Sequence, residues 1–312
     1  MTLPYGPRLL SLSLAFFFIV HVSAALVVWF LTPAAVRMSR RMCANSAARF
    51  LLALRLLPAG LALAGLATLC IPSFLIFEPE AQGEEVGIVC LAMAALGFGM
   101  CVVSMLRAVK SAALSARHRR ACMPTESREP LSVVEAPAPV CARFGILRPR
   151  LLISRSVVDA LSADELDAVL EHENAHLDSA DNLKRLLLVL APRYRGAAWL
   201  EREWAHCAEL AADDRAAAGD AQRSLALASA LVRVARLGPG PRVAQVSTRS
   251  ADGNDLAERV ERLLDDTEPA AEGWAGRAGW WIAAGTATAA IAFVVQPASL
   301  QAVQAMLERL VH

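Results

Sequence analysis

Four apolar runs, Leu9 to Thr32, Phe50 to Phe77, Val86 to Val109 and Ala278 to Pro297, contain no acidic residue. Each is long enough to cross about 30 Å of hydrocarbon. In lipid a spanning segment must satisfy its own backbone N–H and C=O groups, so runs of this kind fold as helices. Composition agrees, because 56% of the 312 residues are hydrophobic and the mean hydropathy of +0.42 is too high for an ordinary soluble domain. Arg55, near the start of the second run, can snorkel to the interface, and Pro58 and Pro72 are tolerated in membrane helices. His21 is a polar group inside the first run and is best satisfied facing a neighbouring helix. A cleaved leader is the competing reading of that run, since Arg8 precedes it and Val22-Ser23-Ala24 resembles a cleavage site. Apolar residues continue through Leu31, beyond a leader's hydrophobic core, which favours an uncleaved helix.

Basic residues set the expected orientation. Arg37, Arg40, Arg41 and Arg49 fill the first connection, whereas the second holds Glu78, Glu80, Glu84 and Glu85 and no base. Arg107 lies at the end of the third run, and Lys110, Arg117, Arg119 and Arg120 follow it. The positive-inside rule then places residues 110–277 in the cytoplasm, with the 78–85 connection and both termini outside. The expected divisions are a membrane domain at 1–109, a cytoplasmic domain at 110–277, a fourth membrane helix at 278–297 and a short extracytoplasmic tail at 298–312. With a formal net charge of +1, nothing recommends nucleic acid as a partner, and the basic cluster 117–120 reads as an anchor for anionic lipid. The seven cysteines include no C-x-x-C pair, which argues against a disulfide framework and against a cysteine-held metal.

His172-Glu173-Asn174-Ala175-His176 is an H-E-x-x-H motif inside the cytoplasmic segment. On a helix, positions i and i+4 share a face, so the two imidazoles can converge on one Zn²⁺ at about 2.0–2.1 Å. Glu173 projects about 100° round the helix from its neighbour, where it can take a proton from a metal-activated water. Ser162 and Glu165 form an S-x-x-E capping box, and Leu166, Val169, Leu170 and Leu177 continue a helical pattern through the motif. A catalytic site with three protein ligands needs one more donor. Glu209-Leu210-Ala211-Ala212-Asp213 supplies an E-x-x-x-D on a predicted helix from about Trp199 to Ala218, stopped by Gly219. Glu209 is the expected third ligand, and Asp213, one turn on, the expected acceptor for the outer ring N–H of a ligating histidine. His206, Asp178, Asp181 and Glu203 are competing third ligands, better explained by surface or structural roles. Tyr194, Arg195, His206 and Arg259 are candidates to stabilise the oxyanion, and spacing does not choose among them.

Around the motif the sequence predicts a charged, Pro-containing linker (117–130) and three short strands at 131–134, 140–144 and 151–153. Such a sheet can pack the motif helix or accept an extended peptide at its edge. A helix at 220–237, a loop at 238–254 and a short helix at 255–265, with Arg259 and Arg262 on one side, follow. The fold class expected is a mainly α membrane protein of four transmembrane helices, with an α+β zinc-peptidase domain between helices three and four.

This layout resembles the BlaR/MecR family of membrane metallopeptidases. The resemblance is carried by Gly145 to Arg150, by Leu161 to Leu166, by the H-E-x-x-H motif and by Glu209 to Asp213. The motif pair is that of gluzincin-like peptidases and is shared by HtpX-type quality-control proteases, but three helices before the motif and one after it look more like BlaR/MecR. The resemblance implies a zinc endopeptidase in the inner membrane that acts in regulated proteolysis or signalling. A transcriptional repressor or a membrane protein would be its substrate. In that family's antibiotic sensors a penicillin-binding domain follows the fourth helix, whereas here only Ala298 to His312 do. Leu300, Val303, Leu307 and Leu310 share one helical face of that tail, which suits a membrane surface. The expectation is therefore a protease without a penicillin sensor. Membrane-protein quality control is the alternative within enzymes, and a non-catalytic, metal-stabilised membrane scaffold is the alternative outside them.

Overall fold

The computed structural model describes residues 4–77, 86–122, 131–136, 139–145, 150–238 and 253–265. The expected fourth helix at 278–297, the tail 298–312, the acidic connection 78–85, residues 146–149 and most of the loop 238–254 lie outside them.

Three helical rods are long and apolar enough to cross a membrane. They are α1 (Tyr5–Ser39), α2 (Ala44–Gly65) continued through a π-helical turn (Leu66–Cys70) into α3 (Ile71–Phe77), and α4 (Ile88–Cys122). The wide turn ends two residues before Pro72, which has no N–H to give the Thr68 carbonyl, and the helix continues through the proline. Where α4 crosses α1, a Cβ at Gly97 would collide with the Leu14 carbonyl, so this approach requires glycine. Helix α4 does not stop at Val109, the last residue of its apolar run. It continues to Cys122, so the expected domain boundary and the start of the expected linker fall inside a helix.

Beyond the membrane rods the chain forms β1 (Leu131–Val134), β2 (Cys141–Phe144), β3 (Arg150–Ser154) and α5 (Arg155–Ala160). Helices α6 (Ala163–Asp178), α7 (Asp181–Leu190), α8 (Ala197–Ala217), α9 (Ala221–Arg236) and α10 (Gly253–Leu264) follow. The sheet order is β1-β3-β2, with β1 parallel and β2 antiparallel to β3. As the central strand, β3 buries Leu151, Leu152 and Ile153 in succession, which is why its sequence is an unbroken apolar run.

The helical domain shares a core with the membrane rods. Val28 and Val36 of α1 and Ala47, Ala48 and Leu51 of α2 are buried against Leu188 of α7 and Leu200, Trp204, Ala205 and Ala208 of α8. This seam accounts for the fate of Arg55, which does not snorkel. Its side chain is fully buried, with Nε donating to Glu201 Oε1 at 2.9 Å and Nη2 to the Leu188 and Ala191 carbonyls at 3.4 Å. The guanidinium stacks 5.1 Å from the centre of the Tyr194 ring. Because α7 and α8 cover the head of α2, the water that Arg55 would reach is replaced by protein. His21 is buried in the same seam, stacked on Phe17 and edge-on to Tyr194.

Candidate metal centre

Helix α6 carries the motif and begins as its sequence requires. Ser162 Oγ accepts from the Glu165 N–H at 3.3 Å, and Glu165 Oε2 accepts from the Ser162 N–H at 2.8 Å. Ala168 and Val169 pack with Leu227 and Ala230 of α9 and Ala216 of α8, which fixes the rotation of α6 and turns His172 and His176 toward α8. At the other end Arg215 of α8 donates to the Ala175 carbonyl at 3.1 Å and to Asn45 Oδ1 of α2 at 3.3 Å. A cation there also suits the negative end of the helix dipole.

His172, His176 and Glu209 come together across α6 and α8. The two Nε2 atoms are 3.2 Å apart, Glu209 Oε2 lies 3.6 Å from His172 Nε2, and Oε1 lies 3.6 Å from His176 Nε2. Two tetrahedral ligands at about 2.0–2.1 Å from one ion stand about 3.3 Å apart, so these three groups fit a Zn²⁺ site with little movement. The nitrogen and oxygen donors, with no thiolate, are also those of catalytic sites that keep a position open to solvent. His176 Nδ1 shares a hydrogen bond with Asp181 Oδ2 at 2.7 Å, while Asp213 Oδ1 stands 2.9 Å from His172 Nδ1 at ion-pair distance without hydrogen-bond geometry. That arrangement points each Nε2 inward as the lone-pair donor.

Asp181 reaches back because Ala180 takes a left-handed conformation, φ 52°, that reverses the chain within a few residues of His176. Sequence spacing had grouped Asp181 with the competing ligands. Its one-turn neighbour Lys184 holds its other oxygen at 2.8 Å. Asp178 and Glu203 are not in the cluster, and Glu203 accepts from Trp199 Nε1 at 3.2 Å.

Electrostatics follow the same geometry. Burial pushes the His176 imidazole down, but Asp181, Glu209 and Glu173 outweigh it and hold it up at about 10 in the metal-free protein. His172 is raised too, against burial, by Asp213 and Glu209. Burial pushes the Glu209 carboxyl up, yet the two imidazoles and Arg259 hold it well below the usual range. Glu173 is half-buried, near enough to His176 for its charge to act on that ring.

Of the four oxyanion candidates only Arg259 lies at this cluster, with Nη1 3.3 Å from Glu209 Oε2. Tyr194 donates to the Arg55 carbonyl at 3.4 Å, and burial pushes its phenol up to about 12. Arg195 stacks 4.7 Å from the Trp29 ring centre. His206 faces α10, with Nδ1 3.9 Å from Asp255 and Nε2 3.5 Å from Glu258. Since those carboxylates address opposite ring nitrogens, the trio reads as a polar contact between α8 and α10 and not as a second metal site. It lines a cavity of about 600 Å³ between α8, α10 and the α1–α2 turn, where Arg40, Arg202 and Glu203 also lie. The six cysteines whose side chains are described are all free thiols. Comparisons with known protein families, with curated proteins and with solved structures find no match for this chain.

Proposed function

We propose that the chain is an integral-membrane zinc-dependent endopeptidase that hydrolyses peptide bonds at the cytoplasmic face of the membrane. The observation that carries this reading is the meeting of His172 Nε2, His176 Nε2 and the Glu209 carboxylate within 3.6 Å of one another, with Glu173 next to the first ligand. A zinc ion bound there supplies the Lewis acid that polarises a water and the scissile carbonyl. Glu173 takes the proton of the attacking water and returns it to the leaving amine. Asp213 and Asp181 keep the two histidines in the ligating tautomer. Strand β2 is an outer strand and contacts α6, so an extended peptide added to that edge would run beside the motif helix.

The cytoplasmic assignment rests on Arg37, Arg40, Arg41 and Arg49 in the first connection, against Glu78, Glu80, Glu84 and Glu85 in the second. A site whose domain shares its core with membrane helices suits a membrane-proximal substrate. Regulated cleavage of a transcriptional repressor or of a membrane protein is the biology proposed.

The deciding experiment compares purified full-length wild type with Glu173→Gln for zinc content and for cleavage of a peptide library and of the protein itself. Both are expected to hold one zinc, with cleavage falling by about 10²-fold or more in the variant. Equal cleavage by the two would remove Glu173 from the mechanism. Stoichiometric zinc with no cleavage by either would favour the scaffold.

A further inference from the structure

We propose that Arg259 is a positioning residue of the metal centre, acting from α10 through Asp213 on His172 and directly on Glu209. This rests on the reading of His172, His176 and Glu209 as a metal site. Helix α10 docks on α8 by crossed charge pairs. Arg259 Nε and Nη2 donate to Asp213 Oδ2 and Oδ1 at 2.7 Å each, and Arg262 Nη2 donates to Asp214 Oδ2 at 2.8 Å. In the reverse sense His206 of α8 faces Asp255 and Glu258 of α10.

The Arg259–Asp213 pair differs from the others in what lies behind it. Asp213 is 3% exposed, and the same Oδ1 that accepts from Arg259 stands 2.9 Å from His172 Nδ1. A lone carboxylate can rotate about its last torsion and present either oxygen to the ring. A two-pronged guanidinium fixes both oxygens in one plane, and with them the direction in which the imidazole points its Nε2. Arg259 Nη1 also lies 3.3 Å from Glu209 Oε2, the oxygen that faces His172 Nε2. It thereby holds the third ligand in reach and offsets the charge of the buried Asp213 and the part-buried Glu209. A lysine offers a point charge in place of the fork and cannot reproduce both contacts. Helix α10 is thus part of the site's frame, although it offers no ligand to the metal.

The test measures zinc affinity by chelator competition on the full-length chain in detergent for wild type, Arg259→Ala, Arg259→Lys and Arg262→Ala. Metal-free unfolding and the visible spectrum of the Co²⁺-loaded protein are recorded alongside. Arg259→Ala is expected to bind zinc about 10- to 100-fold more weakly and to shift the Co²⁺ bands as the ligand set loosens. Arg259→Lys should be weaker by about threefold or more, which carries the test if the alanine variant does not fold. Arg262→Ala, which loosens α10 without touching the site, is expected to stay within about twofold of wild type. Zinc affinity unchanged in the Arg259 variants would overturn the proposal, as would equal weakening by Arg262→Ala, since docking of α10 alone would then explain it. Failure of the wild type to bind zinc would instead sink the metal reading beneath it.

Discussion

His176 Nδ1 sits 2.7 Å from Asp181, and its imidazole, held up at about 10 by that carboxylate and by Glu209, holds a proton that the proposed metal would have to displace. Zinc requires a neutral ring, so below about pH 10 each binding event expels at least one proton. Zinc affinity should therefore rise at least about tenfold per pH unit between pH 6 and 8, and a flat plot of log Kd against pH would exclude this account. The metal-free fold has the opposite dependence. A histidine whose proton is held more tightly folded than unfolded contributes its full stability below its unfolded value of about 6.5 and loses it as pH rises toward about 10. At this scale the sequence was informative where spacing alone decides. An i, i+4 pair must share a face, and E-x-x-x-D must place Glu209 and Asp213 one turn apart. Asp181 and Arg259 were not legible in the same way. The first depends on an alanine adopting φ 52° at the α6–α7 turn, and the second lies 46 residues beyond its partner Asp213. No periodicity carries either fact.

Among the elements, α6 shows how a local signal acquires a tertiary role. The capping box was readable from Ser162 and Glu165, but Glu165 also accepts from Ser229 Oγ and lies 3.0 Å from Arg233 Nε, both on α9. The Ser229 hydroxyl is the main reason its carboxyl is held below the ordinary value, with the Ser162 N–H and Arg233 adding to it. Ser162→Ala should cost about 1 kcal/mol, the usual loss of a cap. Glu165→Ala also leaves the Ser229 hydroxyl without its acceptor and removes the ion pair with the exposed Arg233, and should cost about 2–3 kcal/mol in chemical unfolding. Equal losses would mean that α9 gains nothing from Glu165. Acid should weaken the contact as well, because a carboxyl with a lowered folded pKa stabilises above its unfolded value of about 4.3, and that contribution disappears as pH falls. Strands and helices with strong punctuation were readable to within a few residues, including α9, which starts at the Asp220 cap. Helices α5 and α7 and the strand order were not. Short apolar segments such as Leu186 to Leu190 fit several elements, and pairing β1 with β3 across β2 is a long-range choice that local sequence does not encode.

At the scale of the whole molecule, hydropathy divided the chain into membrane rods and a separate cytoplasmic domain, and the packing does not respect that division. Leu188, Leu200 and Trp204 complete their burial against α1 and α2, and Arg55 carries a cation into the same seam, where Glu201 answers it. Glu201 also takes Arg193 at 3.1 Å, so one carboxylate ties the head of α2 to α8 and to the segment following α7. Helices α7 and α8 supply Asp181, Glu209 and Asp213, so the seam and the candidate metal centre are built on the same two helices. A buried ion pair is costly to break from one side, because the survivor is left charged in a dry place, whereas removing both partners can be nearly neutral. Arg55→Leu alone should therefore lower stability by about 3–5 kcal/mol, as should Glu201→Leu, while the double variant should recover most of that loss. Unfolding of the four proteins in one detergent measures the coupling. Strictly additive losses would show that the pair does not hold domain and membrane together, and that the apolar seam around Trp204 does so alone.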